Sequence, residues 1–402
     1  MFLNVRSKTQ NIKEGRHASY GSMIKIMKIL HTSDLHLGIS LCSERLLEYQ
    51  QTLADILCNA VSENKIDCVI IAGDIFDSAM SSGEAIAVWD RIVTVLCKDA
   101  KVPVLVCAGN HDGAARLSSC AELLASSGLY ISGKLTSEIK PVSIGCCDFY
   151  LIPYFNPSEA RILYECSEKN PMTSILDSIR ENMDRTKTNI AVAHCFVNGA
   201  EVSESDNSAR AAASVGGSDI VPVSAFSDFD YVALGHLHKP QTIKNNNSSV
   251  RYSGTPFRYS FSEVSHRKTF SVFDTDTKEV SEIPVPDLIR LRIIEDTYEN
   301  IIENSKNDTN RNDFMKIVMT DRFKGESTYS QITELYPNTL IFQGAAYHED
   351  TDETYSAKEI CELDLISLAK KYIEHMRGTE PDNDEVEWLA QAFEECERED
   401  EQ

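Results

Sequence analysis

The sequence holds no apolar run near the ~20 residues that a membrane-spanning helix needs. The most apolar early stretch, Met23 to Leu30, is broken by Lys25 and Lys28. It is too short and too charged for the core of a secretory signal, so the chain reads as cytoplasmic, with no membrane partner. Cys-x-x-Cys pairs are also missing: among twelve cysteines only Cys146 and Cys147 come close, as direct neighbours. That argues against a structural zinc site. Several cysteines lie in apolar strand-like or helix-like runs (Cys58, Cys68, Cys97, Cys107), as buried reduced thiols do. Positive charge is short as well, with 39 Lys and Arg against 62 Asp and Glu and a net charge of −23. A surface that is basic throughout is therefore excluded, although local contacts to an anionic polymer are not. No internal repeat is visible.

At 402 residues the chain exceeds what one core usually fills, so more than one domain is expected. Residues 1–22 are polar and without period, and are predicted to be a disordered extension. A first domain spans 23–286. It opens with a strand at Lys28–Thr32, a helix-period segment from about Arg45 to Asn64, and a continuous apolar strand at Asp67–Ala72. A helix over Ala85–Leu96 and a strand over Val102–Ala108 follow. This β-α-β-α-β rhythm predicts a parallel sheet flanked by helices. Later strand-like runs (Phe149–Ile152, Asn189–Ala193, Tyr231–Leu234, Val250–Ser253, Thr269–Phe273) have shorter connections and fit a second sheet facing the first. Around Val285-Pro286 the pattern changes to a small α+β unit, 287–346. A polar linker and an acidic helical tail, 347–402, complete the chain.

Acidic and imidazole side chains recur where the apolar strands end: Asp34 and His36, Asp74, Asn110 and His111, His194, then His236 and His238. The carboxyl ends of strands are where open α/β sheets bind ligands. A single His or Gly-Asn-His-Asp at such a place is usually a turn residue; five successive strand ends are not readily assigned to chance. If the segments are extended, the members of Asp34-x-His36 and of His236-x-His238 point the same way. Asp74 can bridge two cations through its two oxygens, and Asn110 offers a neutral carbonyl oxygen. Oxygen and imidazole donors without thiolate suit manganese, iron or zinc. His111 follows a presumed ligand, so its ring points elsewhere and is placed to donate a proton to a leaving oxygen. Asp77 is expected to orient that imidazole.

Read in order, Asp-x-His, Gly-Asp, Gly-Asn-His-Asp, Ala-His and Gly-His-x-His resemble the calcineurin-like metallophosphoesterase superfamily. The resemblance implies a four-layer αββα sandwich with a dinuclear centre, followed here by a small α+β capping domain and C-terminal helices. By motif position, Asp34, His36, Asp74 and His238 would hold one metal, and Asp74, Asn110, His194 and His236 the other. Three narrower features are similar to the SbcD branch of bacterial repair nucleases. These are His31 to Gly38, the run from Gly216-Gly217 to Lys239-Pro240, and Tyr252 to Pro256 followed by Ser260 to Glu263. Eukaryotic and archaeal relatives carry His at position 77, where this chain has Asp, so the support of His111 must differ in detail.

That resemblance implies two divalent ions, Mn2+ above all, and 3′-5′ exonuclease and endonuclease activity on DNA ends and hairpins. It also implies a homodimer within a heterotetramer with the SMC-like ATPase SbcC. Leu363, Ile366, Ala369, Ile373 and Met376, then Val386, Leu389 and Phe393, would form two apolar helix faces that dock on that partner. Arg45, Arg116, Lys239, Arg258 and Arg267 are the candidate phosphate contacts. Two other readings remain open: a phosphoesterase acting on cyclic nucleotides or phosphoproteins, and a non-catalytic scaffold for DNA ends or the ATPase.

Overall fold

A computed structural model of the chain describes residues 26–166, 170–203, 206, 220–245, 248–321, 326–344 and 365–377, with a few isolated positions beyond. Residues 1–22, the Gly216-Gly217 marker, the linker and most of the acidic tail lie outside the described residues. The chain divides into two compact units, Met1–Leu288 and Ile289–Gln402. Among the described residues no helix is long and apolar enough to cross a membrane.

The first unit is built on two six-stranded sheets. In one, the spatial order is Val280–Pro284, Thr269–Asp274, Lys28–Thr32, Cys68–Ala72, Val104–Cys107 and Leu129–Ser132. The last four strands run parallel, and the first two are antiparallel additions. The other sheet is ordered Gln241–Ile243, Ser249–Tyr252, Tyr231–Gly235, Thr188–His194, Cys147–Ile152 and Val142–Ile144, with a parallel centre and antiparallel edges. Strand alternation divides the apolar side chains between two layers. Ile29, Ile70, Leu105, Phe149, Ile190 and Tyr231 meet in a core between the sheets. Tyr231 stacks on Phe273 there, with ring centroids 4.6 Å apart. Its hydroxyl bonds the Nδ1 atom of His31 at 2.8 Å. Burial and the charge of Arg251 push that imidazole down to about 3, so His31 is a neutral core residue.

Helices cover the outer faces. Tyr150, Ile152, Ala191 and Val232 pack against Met172, Ile175 and Ile179 of helix Pro171–Glu181, which starts at the Asn170 side-chain cap. On the first sheet Leu30, Val69, Ile71 and Val106 alternate outward and are fully buried, as are Leu53 and Leu57 of helix Leu53–Asn64 and Ile92 of helix Gly83–Thr94. This is the four-layer αββα sandwich. The second unit has a three-stranded parallel sheet, Leu291–Asp296, Phe314–Met319 and Thr339–Gln343. Its core joins Met315, Ile317 and Met319 to Ile301 and Ile332 from helices Tyr298–Ser305 and Glu326–Leu335. A further helix, Leu365–Arg377, belongs to this unit.

The two sheets approach closely at Gly235. A Cβ there would lie 1.8 Å from the Ala72 carbonyl oxygen and 2.9 Å from His194 Nδ1. Because the first obstacle is backbone, Gly235→Ala is expected to destabilise the fold by ~1–3 kcal/mol, the usual scale of overpacking. The urea midpoint should fall with little change in slope. An unaltered midpoint would mean that the sheets can part at no cost.

Candidate metal centre

The local backbone explains how strand ends from both sheets converge. Asp34, His36, Asp74 and His236 all have positive φ, at 52°, 43°, 48° and 102°. Such left-handed residues cost free energy and concentrate at functional sites. The expected extended geometry of Asp34-x-His36 and His236-x-His238 is therefore not what occurs. Each segment curls at once beyond its strand, and the side chains reach the centre through that curl. Neighbouring groups hold it in place. Gln50 donates from Nε2 to the carbonyls of Leu35 and His36, at 3.0 and 2.9 Å, and accepts from Gly38 N–H at 2.9 Å. Asp112 clamps two loops together, accepting from Gly109, Ile75 and Phe76 N–H at 2.8–3.2 Å. Sequence reasoning gave neither residue a role: a lone Gln in a helix carries no distinct signal, and Asp112 entered only as the last residue of Gly-Asn-His-Asp. Gly109 is obligatory for another reason: a Cβ there would meet Asp74 Oδ1 at 2.1 Å.

The side chains gather in overlapping groups. Asp34, His36 and His238 bring ligand atoms within 4.8 Å of one another, and so do Asp34, Asp74 and His194. His36, Asp77 and His111 form a third such group. Asp74 lies between two rings, with Oδ2 3.7 Å from His36 Nε2 and 3.3 Å from His194 Nε2. Its Oδ1 accepts from His111 N–H at 2.8 Å. Asn110 Oδ1 lies 3.0 Å from His194 Nε2 and 3.1 Å from His236 Nδ1. Thus all seven residues anticipated as ligands meet at one place.

Outer partners set which nitrogen faces inward. A backbone carbonyl can only accept, so His194 donates Nδ1–H to Ala72 O at 3.0 Å and turns Nε2 to the centre. His238 Nδ1 lies 3.0 Å from the Glu263 carboxylate. Glu263 is itself fully buried and pairs with buried Lys268 at 2.5 Å. The Lys268 ammonium also donates to His238 O at 3.1 Å and to Thr255 Oγ1 at 2.5 Å. Sequence reasoning did not give Glu263 or Lys268 a role. The Ser260 to Glu263 marker was the available signal.

Electrostatics follow from burying two carboxylates together. Burial raises Asp34 above the ordinary carboxyl range, against the pull of His194 and with the push of Asp74. Burial also works against ionised Asp74, yet the charge and hydrogen bond of His194, with His36 and His111, carry its carboxyl well below that range. In return His194, although buried, is raised to about 9 by Asp74 and Asp34. Burial and the neighbouring His194 charge push His236 down to about 3.

Two anticipated roles change in form. Asp77 does support His111, but through its backbone: His111 Nδ1 bonds Asp77 O at 2.8 Å. The Asp77 carboxylate instead faces His36 Nδ1 at 3.3 Å. Among the basic candidates, Arg45 pairs with Glu84 and Lys239 with Glu201 on the surface. Arg116 donates to Ala79 O at 3.0 Å. The guanidinium of Arg258 is tied to Asp287, to Glu263 O at 3.2 Å and to His266 O at 3.1 Å, which gives it a structural task. Arg267 is exposed.

Residues 27–240 match the calcineurin-like phosphoesterase family. The chain is similar to a Staphylococcus epidermidis protein named as the D component of the nuclease SbcCD, at 29% identity over 357 residues, which covers 87% of this chain and 93% of that one. Among solved structures, a Thermus thermophilus protein aligns over 65% of this chain and 100% of its own, with 13% identity and a TM-score of 0.41. An archaeal phosphodiesterase aligns over 64% of this chain and 99% of its own, with 15% identity and a TM-score of 0.31. These two structural likenesses are too loose to bear on function. The match that does bear on it runs through every strand end contributing to the centre, from Asp34 to His238, and on that match the chain belongs to the calcineurin-like phosphoesterases, hydrolases of phosphoesters.

Proposed function

We propose that this chain is a metal-dependent DNA nuclease, a 3′-5′ exonuclease and endonuclease, that works with an SMC-like ATPase of the SbcC type. The observation that carries the reading is Asp74, whose carboxylate lies between His36 and His194 and joins two donor sets. The donors fit divalent cations. Among the described residues the Nε2 atom of buried His36 has no hydrogen-bond partner, and buried polar atoms are rarely left so without a ligand. Asp34, His36, Asp74 and His238 would hold one ion, and Asp74, Asn110, His194 and His236 the other. With imidazole, carboxylate and amide donors and no thiolate, manganese suits both. Bound there, the pair supplies Lewis-acid polarisation of the phosphoester and activation of water.

The protein's own groups do the rest. Because Asp77 O accepts from Nδ1–H, a proton that His111 gives to a leaving oxygen must come from Nε2, and the donor is the imidazolium. Glu263 holds the His238 ring by its Nδ1–H, and Lys268 keeps that carboxylate ionised in a buried setting. The name of the Staphylococcus relative, a nuclease subunit, supports a nucleic acid as substrate and a second protein as partner. The acidic surface fits a division of labour in which the partner brings much of the attraction to DNA.

The test is to strip metal with chelator, restore manganese, magnesium or zinc, and offer duplex and hairpin DNA beside cyclic AMP and a phosphopeptide. Manganese-stimulated DNA cutting is expected. Preferential turnover of the cyclic nucleotide or phosphopeptide would reject the nuclease reading. Glu263→Gln should weaken manganese binding by ~10–100-fold, the usual effect of losing an outer partner of a ligating histidine. Calorimetric titration reads this directly. Unchanged affinity would mean that His238 needs no such support.

A further inference from the structure

Beside the carboxylate–imidazole cluster lies a cavity of ≈ 190 Å³. One wall is formed by Asn110, His194 and His236, which also belong to the proposed metal centre. The remainder is largely apolar and includes Phe155, Met172, Phe196 and Val221. Its lining includes Tyr154, which is 45% exposed. The ring meets that of His194 edge-on at 6.4 Å. Tyr154 is not loosely placed: its N–H donates to Ala108 O at 2.8 Å, tying it to the loop that carries Asn110.

We propose that this cavity is a subsite for one unpaired nucleobase of the strand being cut, with Tyr154 as its stacking platform. The inference rests on the nuclease reading and deepens it. A phosphate drawn to the cluster brings its attached nucleoside against the wall that the cluster and the cavity share. Apolar and aromatic faces suit a base, which has a π-face whatever its identity. A dry cavity of ~150 Å³ takes one benzene, so this space has room for about one flat ring system and not for a base pair. A paired end must therefore open before its last nucleotide is cut. Opening costs least at a mismatch or an already single-stranded position.

The test uses the full chain with manganese and a single-stranded oligonucleotide, in which a tetrahydrofuran abasic residue is placed in turn on either side of one scissile phosphate. In the wild type, one of the two positions should lower kcat/KM by about 5- to 150-fold, the range for losing one stacked base. In Tyr154→Ala the intact oligonucleotide should be cut as poorly as the abasic one. Tyr154→Phe should restore the difference, since stacking needs the ring and not the hydroxyl. Melting temperatures of both variants, measured alongside, separate lost stacking from lost fold. Equal cutting of intact and abasic strands by the wild type would overturn the subsite alone. So would a Tyr154→Ala enzyme that is slowed but still distinguishes the two strands. Failure to cut either strand with any metal would sink the nuclease reading and the subsite with it.

Discussion

Asp74→Ala is expected to lose bound metal and phosphodiester cleavage together. Asp74 lies between the His36 and His194 rings, so its removal would take away negative charge from between the two proposed cation positions. The loss should reach at least ~10²–10³-fold, the scale seen when one electrostatic stabiliser leaves an active site. The geometry adds a complication, because Asp74 Oδ1 also accepts from His111 N–H. Alanine therefore slackens the Gly109 to Asp112 loop as well as removing charge. Asp74→Asn separates the two effects: the amide oxygen can keep the loop bond, while the bridging charge is gone. Metal content by elemental analysis and cleavage rate should fall in both variants. Retention of both near wild-type levels would remove Asp74 from the bridging position.

His111→Gln should leave metal content largely intact while cleavage falls by ~10²–10⁴-fold, the usual contribution of a general acid. His111 is exposed, its Nδ1 is taken by Asp77 O, and its ring stands 4.9 Å from that of His36. It is thus beside the ligand groups with Nε2 left for substrate. A substrate with a good leaving group, such as a nitrophenyl phosphodiester, should suffer less from the change, since its leaving oxygen needs no proton. A fall in metal occupancy as deep as that of Asp74→Ala would make His111 a ligand instead. A loss below about tenfold on DNA would deny it the proton-transfer role. Asp77→Ala, by contrast, keeps the carbonyl that holds His111, and should perturb the His36 side of the centre more than the acid.

Much of the αββα sandwich was legible because buried parallel strands are short apolar runs with helix-period segments between them. Cys68–Ala72 and Val104–Cys107 could be placed within a residue or two on that basis. The α+β unit expected over 287–346 rested on weaker signals, since its strands, such as Leu291–Asp296 and Thr339–Gln343, are only partly buried. Sheet membership was not legible. Thr269–Asp274 reads as one more strand of the second half, yet it returns to pair antiparallel with Lys28–Thr32 in the first sheet. The weaker strands Leu129–Ser132 and Val142–Ile144 passed unnoticed, being short and only partly buried.

The centre divides in the same way. Asp34, His36, Asp74, Asn110, His194, His236 and His238 could be named from the sequence because each follows a strand, and parallel strands deliver their carboxyl ends to one edge. That is a local property, written in neighbouring residues. Which nitrogen of His194 and His238 faces inward was decided by Ala72 O and by Glu263, partners 122 and 25 residues away in the chain. The left-handed turns at Asp34, His36, Asp74 and His236, the clamp at Asp112 and the buried Lys268 beneath Glu263 are of the same kind. So is the substitution of the Asp77 carbonyl for its carboxylate. Hydrophobic period and strand-end position survive in a one-dimensional pattern because they depend on near neighbours. Hydrogen-bond partnership and side-chain burial depend on which distant segments the two sheets bring face to face, and only the folded chain decides that.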